Sequence, residues 1–226
     1  MSTSPEKCII VQSDRSILLE TDGPSFEDAR DCLAGFAELV KSPEHIHTYL
    51  ISPLSLWNAA AAGLRPDEVI AGLERYSKYD IPQNIVAEVE DQMSRYGRLK
   101  LYKLQDGQLV IESDDAPLMM EILNQKSVQP FLTGTPDGRR IFVKPGDRGN
   151  VKCALIKIGY PVEDLAGYVE GAPLTLGLRD TMLGGGKFGL RKYQREAVAA
   201  FYAGGSNRGG SGVVVMPVSY IFEEEP

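Results

Sequence analysis

Alternating and helical patterns of apolar residues organise the first part of the chain. Residues 9–11 and 17–19 are predicted to be short strands on either side of a polar turn. Ser25 then opens a predicted helix that Pro43 ends, because proline cannot continue a helix. A further strand is predicted at 47–51. The apolar positions of the helix recur at steps of three and four residues, at Phe26, Ala29, Leu33, Phe36 and Val40.

Three helix candidates and a hairpin follow in close succession. Ser52 can cap the first helix, with Pro53 at its first position, and Pro66 and Pro82 mark the starts of the next two. An Asp-Gly dipeptide at 106–107 then joins two alternating apolar runs, which is a strong hairpin signal. Three short helices followed by a hairpin is the order of a winged helix-turn-helix unit. The predicted strands of the hairpin are 99–104 and 108–111.

The remainder of the chain gives fewer signals. A strand is predicted at 141–143 and a short helix at 150–158. The three glycines at 184–186 have the composition of a linker. After them we expect a helix over 190–202 and a strand of the buried type over 213–216.

These patterns predict an α+β chain in four parts. A tail (1–7) precedes an N-terminal α+β domain that contains the winged-helix-like unit (8–126). A small α/β domain (127–183) follows, and a glycine linker leads into the start of a further domain (184–226).

Composition indicates a globular chain and excludes several other classes. Of the 226 residues, 43% are hydrophobic and 24% are charged, which excludes a mainly disordered chain. The three cysteines are widely spaced and form no CxxC pair, so we expect no metal site and a reducing compartment. Cys32 and Cys153 fall among apolar helix positions and are predicted to be core residues. We find neither a signal peptide nor an apolar run of ~20 residues, and therefore expect a cytoplasmic protein with no membrane partner.

Charge is distributed unevenly along the chain. The net charge of −7 excludes an overall basic coat for nucleic acid, although a local basic patch is compatible with it. The third predicted helix, 82–97, carries three acidic residues against the single base Arg95, so phosphates would repel it from a major groove. The hairpin that follows is more basic, with Arg98, Lys100 and Lys103. The winged-helix-like unit therefore fits a protein contact better than base reading by its third helix.

Two glycine-rich segments match phosphate-binding motifs only in part. Gly184, Gly186 and Gly189 fit G-x-G-x-x-G, but no clear strand precedes them and no βαβ unit surrounds them. The segment 204–212 lacks the G-K-[ST] ending that holds phosphate and magnesium. Neither segment forms a complete phosphate cradle.

Residues 189–217, GLRKYQREAVAAFYAGGSNRGGSGVVVMP, resemble the start of the first RecA-like motor domain of XPB-type helicases in their bacterial branch. In that family a Leu-Arg-x-Tyr-Gln helix precedes a glycine-rich loop and an apolar strand that ends in Pro. The stretches SPEHIHTYLISPLSLWNAAAAG, LERYSKYDIPQNI and SRYGRL look like the family's N-terminal domain, and CALIKIGYPVEDLAGYVEG looks like its small domain before the motor. The resemblance covers about residues 8–217, and the segments occur in the right order.

The resemblance implies ATP-dependent 3′→5′ unwinding or translocation on DNA, in DNA repair, with ATP and magnesium as the family's cofactors. It also implies that 184–226 contains the first helix and strand of a RecA-like motor domain, and that the small domain senses distorted DNA. Gln194 matches the glutamine that reads the adenine edge, to which an amide offers both a donor and an acceptor. Arg191 matches the arginine of the same motif and is expected to help place the base.

The sequence departs from the family's pattern after Pro217. The family continues Cys-Gly-x-Gly-Lys-[Ser/Thr], whereas this chain continues Val-Ser-Tyr-Ile-Phe and then three glutamates. Phosphoryl transfer depends on the missing lysine, on the magnesium ligands and on an arginine finger. We therefore expect no cofactor and no ATP hydrolysis for this chain alone, and a motor truncated before its P-loop. A shortened gene, a frameshift and a designed fragment all remain open as reasons.

Two functional hypotheses follow from the sequence. In the first, the chain is the accessory, DNA-engaging N-terminal region of an XPB-type helicase, whose partners are the remaining motor domains or another protein. In the second, it is a free-standing winged-helix adaptor or regulator that binds a protein partner. Under the first hypothesis, weak DNA contact is predicted through seven basic residues, Arg98, Lys100, Lys103, Arg139, Arg140, Lys144 and Arg148.

Overall fold

The computed structural model describes residues 7–167, 177–182, 184–202 and 204, in two compact units that lie within 1–163 and 164–226. The first unit contains two β-sheets and their helices, and the second contains a further helix. The strand predicted at 213–216 lies outside the described residues, as do the first six residues of the predicted tail.

Four antiparallel strands form the first sheet, in the order β1-β2-β4-β3. The two strands predicted near the N-terminus are confirmed, and they pair Val11 with Ile17 across the polar turn. The strand predicted at 47–51 is confirmed within one residue. The bounds are β1 (Ile9–Val11), β2 (Ser16–Glu20), β3 (Glu38–Lys41) and β4 (Ile46–Leu50).

Helix α1 (Phe26–Ala34) begins where the sequence predicts but ends well before Pro43, so the predicted end is wrong. Gly35 and Ala37 donate their backbone N–H groups to carbonyls of the last helical turn and close it. The chain then enters β3, which pairs with β4. Val40 fits the helical spacing, yet it lies in this edge strand and is 54% exposed. Pairing between strands has therefore overridden the local periodicity.

Three helices follow and start within one residue of their predicted positions. Ser52 accepts the backbone N–H of Ser55 at 3.0 Å, so it caps the first of them as expected. The indole Nε1 of Trp57 donates to the carbonyl oxygen of Gln92 at 3.0 Å and ties the first helix to the third. The bounds are α2 (Pro53–Ala61), α3 (Pro66–Tyr76) and α4 (Gln83–Arg95). Their apolar faces share one core with the first sheet, which includes the buried Leu19, Leu33, Leu56, Leu73, Ile85 and Val89.

The predicted hairpin is confirmed and forms the centre of a second sheet, with strand order β7-β8-β6-β5-β9. Gly107 occupies the tight turn with φ of 88°, a conformation that favours glycine. The strand predicted at 141–143 is also confirmed. The bounds are β5 (Leu99–Lys103), β6 (Leu109–Glu112), β7 (Leu132–Thr133), β8 (Arg140–Val143) and β9 (Val162–Asp164).

Two helices accompany the second sheet. Helix α5 (Ala116–Asn124) has no counterpart in the sequence prediction, whereas α6 (Arg148–Lys157) confirms the predicted helix with a start two residues earlier. A 3₁₀ turn at Gln129–Phe131 leads into β7. The division of the chain at residues 126 and 183 stays a prediction; the second sheet takes strands from both sides of residue 126.

The register of the second sheet separates two faces. On the inner face Leu101, Ile111 and Ile141 lie side by side and are buried. The outer face carries the row Lys100, Glu112 and Arg140 and the row Tyr102, Val110 and Phe142. Side chains alternate between the faces of a strand, so the basic residues of β5 and β8 in these rows share one surface.

The cysteine prediction holds only in part. Cys32 is half-buried, and this burial raises the pKa of its thiol, as expected for an unreactive core cysteine. Cys153 is exposed, so its assignment to the core is wrong. Helix α6 buries Val151, Ala154 and Leu155, and residue 153 lies off that stripe.

The second unit contains helix α7 (Lys192–Tyr202), which confirms the helix predicted over 190–202 with a slightly later start. Before it, Thr181 and Lys187 form an antiparallel bridge around the glycines at 184–186. Gly185 has φ of 88° and makes the turn. These glycines form a turn, and their role as a linker between domains stays a prediction.

Candidate nucleic-acid interface

The second sheet carries most of the seven basic residues predicted to contact DNA. Arg98 immediately precedes β5, which contains Lys100 and Lys103. Arg139 and Arg140 lie at the start of β8. The remaining two follow β8: Lys144 directly and Arg148 as the first residue of α6.

Each of the three arginines around β5 and β8 faces a carboxylate of the segment 112–115. Arg98 forms an ion pair with Asp115. Arg140 Nε lies 3.2 Å from Glu112 Oε2, and Arg139 Nη1 lies 3.6 Å from Asp114 Oδ1. All three pairs are exposed to solvent, where such a pair typically contributes less than about 1 kcal/mol to stability. Each arginine therefore has a carboxylate partner, and another anion can replace that carboxylate at small cost.

Asp115 combines an ion pair with a helix cap. Its Oδ1 accepts the backbone N–H of Leu118 at 3.0 Å and caps α5. That hydrogen bond, and then the one from Arg98, holds the pKa of the Asp115 carboxyl below its usual value. Arg98 therefore stabilises the start of α5 in addition to any role toward DNA.

The other cations differ in how they are engaged. Lys144 Nζ donates to the carbonyl oxygen of Pro130 at 2.6 Å and holds the chain beside the 3₁₀ turn. Within residues 7–167, Lys100 and Lys103 form no ion pair. Both lysines are exposed. Among residues 7–167, these two lysines of the predicted DNA-contact set therefore present their charge to solvent without a carboxylate partner.

A pocket of about 210 Å³ opens between β5 and the segment that follows β6. Its cations are Arg98 and Lys100, and the ring of Tyr102 forms part of its wall. The remaining lining is Gly97, Glu112, Ser113, Asp114 and Asp115. The sequence reasoning selected the cations but missed Tyr102 and the acids; the alternation of β5 already places Tyr102 on the same face as Lys100.

Helix α4, the third helix of the predicted winged-helix-like unit, is occupied by internal contacts. Its Arg95 donates to Asp91 Oδ2 at 2.8 Å and to the carbonyl oxygen of Gly159 at 3.3 Å, and its guanidinium lies 5.7 Å from the Tyr160 ring centre. Glu88 pairs with Arg15 at 3.1 Å. The helix thus has no described cation left to offer a phosphate, in line with the unfavourable charge seen in the sequence.

The two residues matched to the adenine site lie at the start of α7. The Oε1 atom of Gln194 accepts the backbone N–H of Arg191 at 2.9 Å. This is the reach-back bond of a capping box, made by the residue at the third helical position. The acceptor of the Gln194 amide is therefore used within the helix start, and its NH₂ group remains the part that can donate to a base.

Comparison with known proteins supplies the family. Residues 9–135 match the model of a family described as "Helicase conserved C-terminal domain". The chain is 44% identical over 209 residues to the "DNA 3'-5' helicase XPB" of Mycobacterium tuberculosis and 43% identical over 212 residues to that of Kineococcus radiotolerans. Each alignment covers 92% of this chain and 36% of the relative. The chain belongs to the XPB family of helicases.

The family extends to eukaryotic relatives. A "General transcription and DNA repair factor IIH helicase/translocase subunit XPB" from Antonospora locustae is 29% identical over 92% of this chain and 30% of its own length. The chain therefore spans about a third of the length of the curated relatives it matches. Within the described ranges, none of the helices combines the length and the apolar character needed to cross a membrane.

Proposed function

We propose that this chain is a DNA-engaging accessory region of an XPB-type 3′–5′ DNA helicase that acts in DNA repair in the cytoplasm. The observation that carries the proposal is the 44% identity to a DNA helicase over 92% of the chain. The partners proposed are DNA and the remaining motor domains of such a helicase. Helix α7 is proposed as the first helix of a RecA-like motor domain.

The arrangement of cations supports contact with DNA through the second sheet. Register places Lys100 and Arg140 on one face, with Arg98 and Arg139 at the adjoining strand ends. Their carboxylate partners are exposed, and phosphates can replace such partners at small cost. The contact is therefore proposed to be weak and salt-sensitive.

A winged-helix-like unit is part of the proposal. Helices α2, α3 and α4 followed by the β5–β6 hairpin have the order of that unit. Because α4 is acidic and its arginine is engaged internally, we propose that the hairpin, rather than α4, faces DNA.

Among the residues that the structure describes, the two proposed to contact ATP lie at the adenine edge. The NH₂ group of Gln194 is a suitable donor, and Arg191 lies beside it at the helix start. The lysine and hydroxyl that the family uses for phosphate and magnesium do not occur as G-K-[ST] in the 226 residues. We therefore propose that the chain alone does not hydrolyse ATP.

Two measurements on the purified chain test this proposal. We expect labelled DNA to bind at low salt and Arg139→Gln/Arg140→Gln to weaken that binding. Arg30→Gln on α1, which removes a similarly exposed ion-paired arginine, serves as the matched control. We also expect no DNA-stimulated release of phosphate from ATP. Sustained ATP turnover after contaminants are excluded, or no DNA binding at the lowest salt, would contradict the proposal.

A further inference from the structure

The outer face of the second sheet has an aromatic row beside a charged row. Tyr102 on β5, Val110 on β6 and Phe142 on β8 are register partners. Val110 is fully buried between the two half-buried rings. Gly134 lies so close to Phe142 that an added Cβ would be 3.5 Å from its ring, so the 134 loop packs on Phe142. Tyr102 is therefore the ring better placed to receive a ligand.

Tyr102 also faces open space next to a cation. It lines the pocket of about 210 Å³ together with the cations Lys100 and Arg98 and with three carboxylates that a phosphate has to displace, those of Glu112, Asp114 and Asp115. Lys100 forms no ion pair among residues 7–167 and can meet a phosphate directly. An aromatic face beside a cation is the combination that holds a base and its neighbouring phosphate in proteins that bind single strands.

The same surface is poorly suited to duplex DNA. A duplex binder gains most of its affinity from many phosphate contacts. Here the three arginines hold Glu112, Asp114 and Asp115, so every phosphate that binds them has to displace a carboxylate, and the two phosphate strands of a duplex would require several such displacements at once. An unpaired strand needs fewer phosphate contacts, because its bases can stack on aromatic side chains and this stacking contributes to the affinity.

We propose that this outer face binds an unpaired DNA strand, with one base stacked on the ring of Tyr102 and an adjacent phosphate on Lys100. The proposal rests on the proposed DNA role of the chain and names the form of DNA and the residues that select it. Arg98 and Arg140 contribute when phosphates replace the carboxylates of Asp115 and Glu112 as their partners. Each arginine then gains one ion pair and loses another, so the ionic part of the affinity is small.

Titration of the whole chain with labelled oligothymidylate and with a mixed-sequence duplex of equal length tests the inference. We expect tighter binding of the single strand. Tyr102→Ala should weaken it about tenfold, the loss of one stacked base, while Tyr102→Phe keeps most of the affinity. Lys100→Gln should make the slope of log affinity against log salt shallower by about 0.7, the value for one phosphate contact on a single strand.

Matched variants outside the face control for general effects. Tyr79 is an exposed tyrosine before α4, and Lys41 is an exposed lysine of the first sheet. Tyr79→Ala and Lys41→Gln should leave affinity and slope unchanged, and thermal melting of each variant shows whether it is folded. Preference for the duplex, or full affinity in folded Tyr102→Ala, overturns the inference while leaving DNA binding intact. Absence of binding to both DNAs overturns the proposed function as well.

Discussion

Asp115 uses its two carboxylate oxygens for different partners. One oxygen accepts the Leu118 N–H at the start of α5 and the other pairs with Arg98 before β5. One side chain therefore fixes the helix that covers the sheet to the strand that carries the candidate binding residues. Its depressed pKa follows from the same two contacts.

The pH dependence of Asp115 can be tested. Because its pKa is lower in the folded chain, its contribution is complete above the ordinary carboxyl pKa of about 3.9 and is lost as pH falls through the lower folded value. Asp115→Asn keeps a capping oxygen but removes the charge. We expect this variant to melt below the wild type near neutral pH, and the difference to shrink below about pH 4. Asp114→Asn, whose pair with Arg139 is long, should show a smaller difference throughout.

The turn at Gly107 gives a second prediction for a single residue. Its φ of 88° disfavours side chains with a Cβ, and no neighbouring atom lies within 4 Å of an added Cβ. Gly107→Val should therefore lower the free energy of unfolding by about 1–2 kcal/mol through backbone strain alone. Gly107→Asn should cost clearly less, because asparagine tolerates this region. Urea unfolding measures both, and equal losses would contradict the conformational argument.

The sequence predicts the roles of individual residues in turns and caps, but not their distant ion-pair partners. The hairpin glycine and the Ser52 cap were predictable because their signals are local. The partner of Arg140 was not, since Glu112 lies 28 residues away and meets it only through the β6–β8 register. The sequence shows which residues of this surface are basic, whereas the ion pairs of its arginines are visible only in the structure.

At the scale of elements, helix starts were easier to predict than helix ends. Proline and serine mark the starts of α2 and α3 with local chemistry. The end of α1 depends on the pairing of β3 with β4, and no local sequence pattern encodes that pairing. Helix α5 has no counterpart in the prediction, although Asp115 as cap and Pro117 in the first turn are local signals of a helix start.

The packing of α2 on α4 depends on one indole. Gln92 lies in the last turn of α4, where carbonyls lack partners within the helix, and Trp57 supplies one. Trp57→Phe should lower the free energy of unfolding by about 1–3 kcal/mol, because a partly buried carbonyl loses its donor and some side-chain volume is lost from the core. Circular dichroism during urea unfolding measures this. Tyr79→Phe, at an exposed ring, is the control and should have little effect.

At the scale of the whole molecule, the proposed contact with DNA has to use a local basic patch, because the net charge of the chain is −7. The carboxylates of Glu112 and Asp114 reduce the charge of that patch. Glu112→Gln/Asp114→Asn should tighten DNA binding at low salt and steepen the salt slope by about 0.7 for each arginine released to a single strand. Asp67→Asn, which breaks an exposed pair on α3, should do neither. Fluorescence anisotropy across a salt series measures both quantities, and equal effects of the two variants would contradict the role given to these acids.

The strand order of the second sheet bears on how the chain folds as it leaves the ribosome. The first sheet is complete once residue 50 has emerged, but the hairpin gains its neighbours β8 and β9 only after residues 143 and 164. During that interval both edges of the hairpin expose unpaired backbone groups, which can recruit strands of other nascent chains. Slow synthesis between these points thus lengthens the period in which the chain is prone to aggregate.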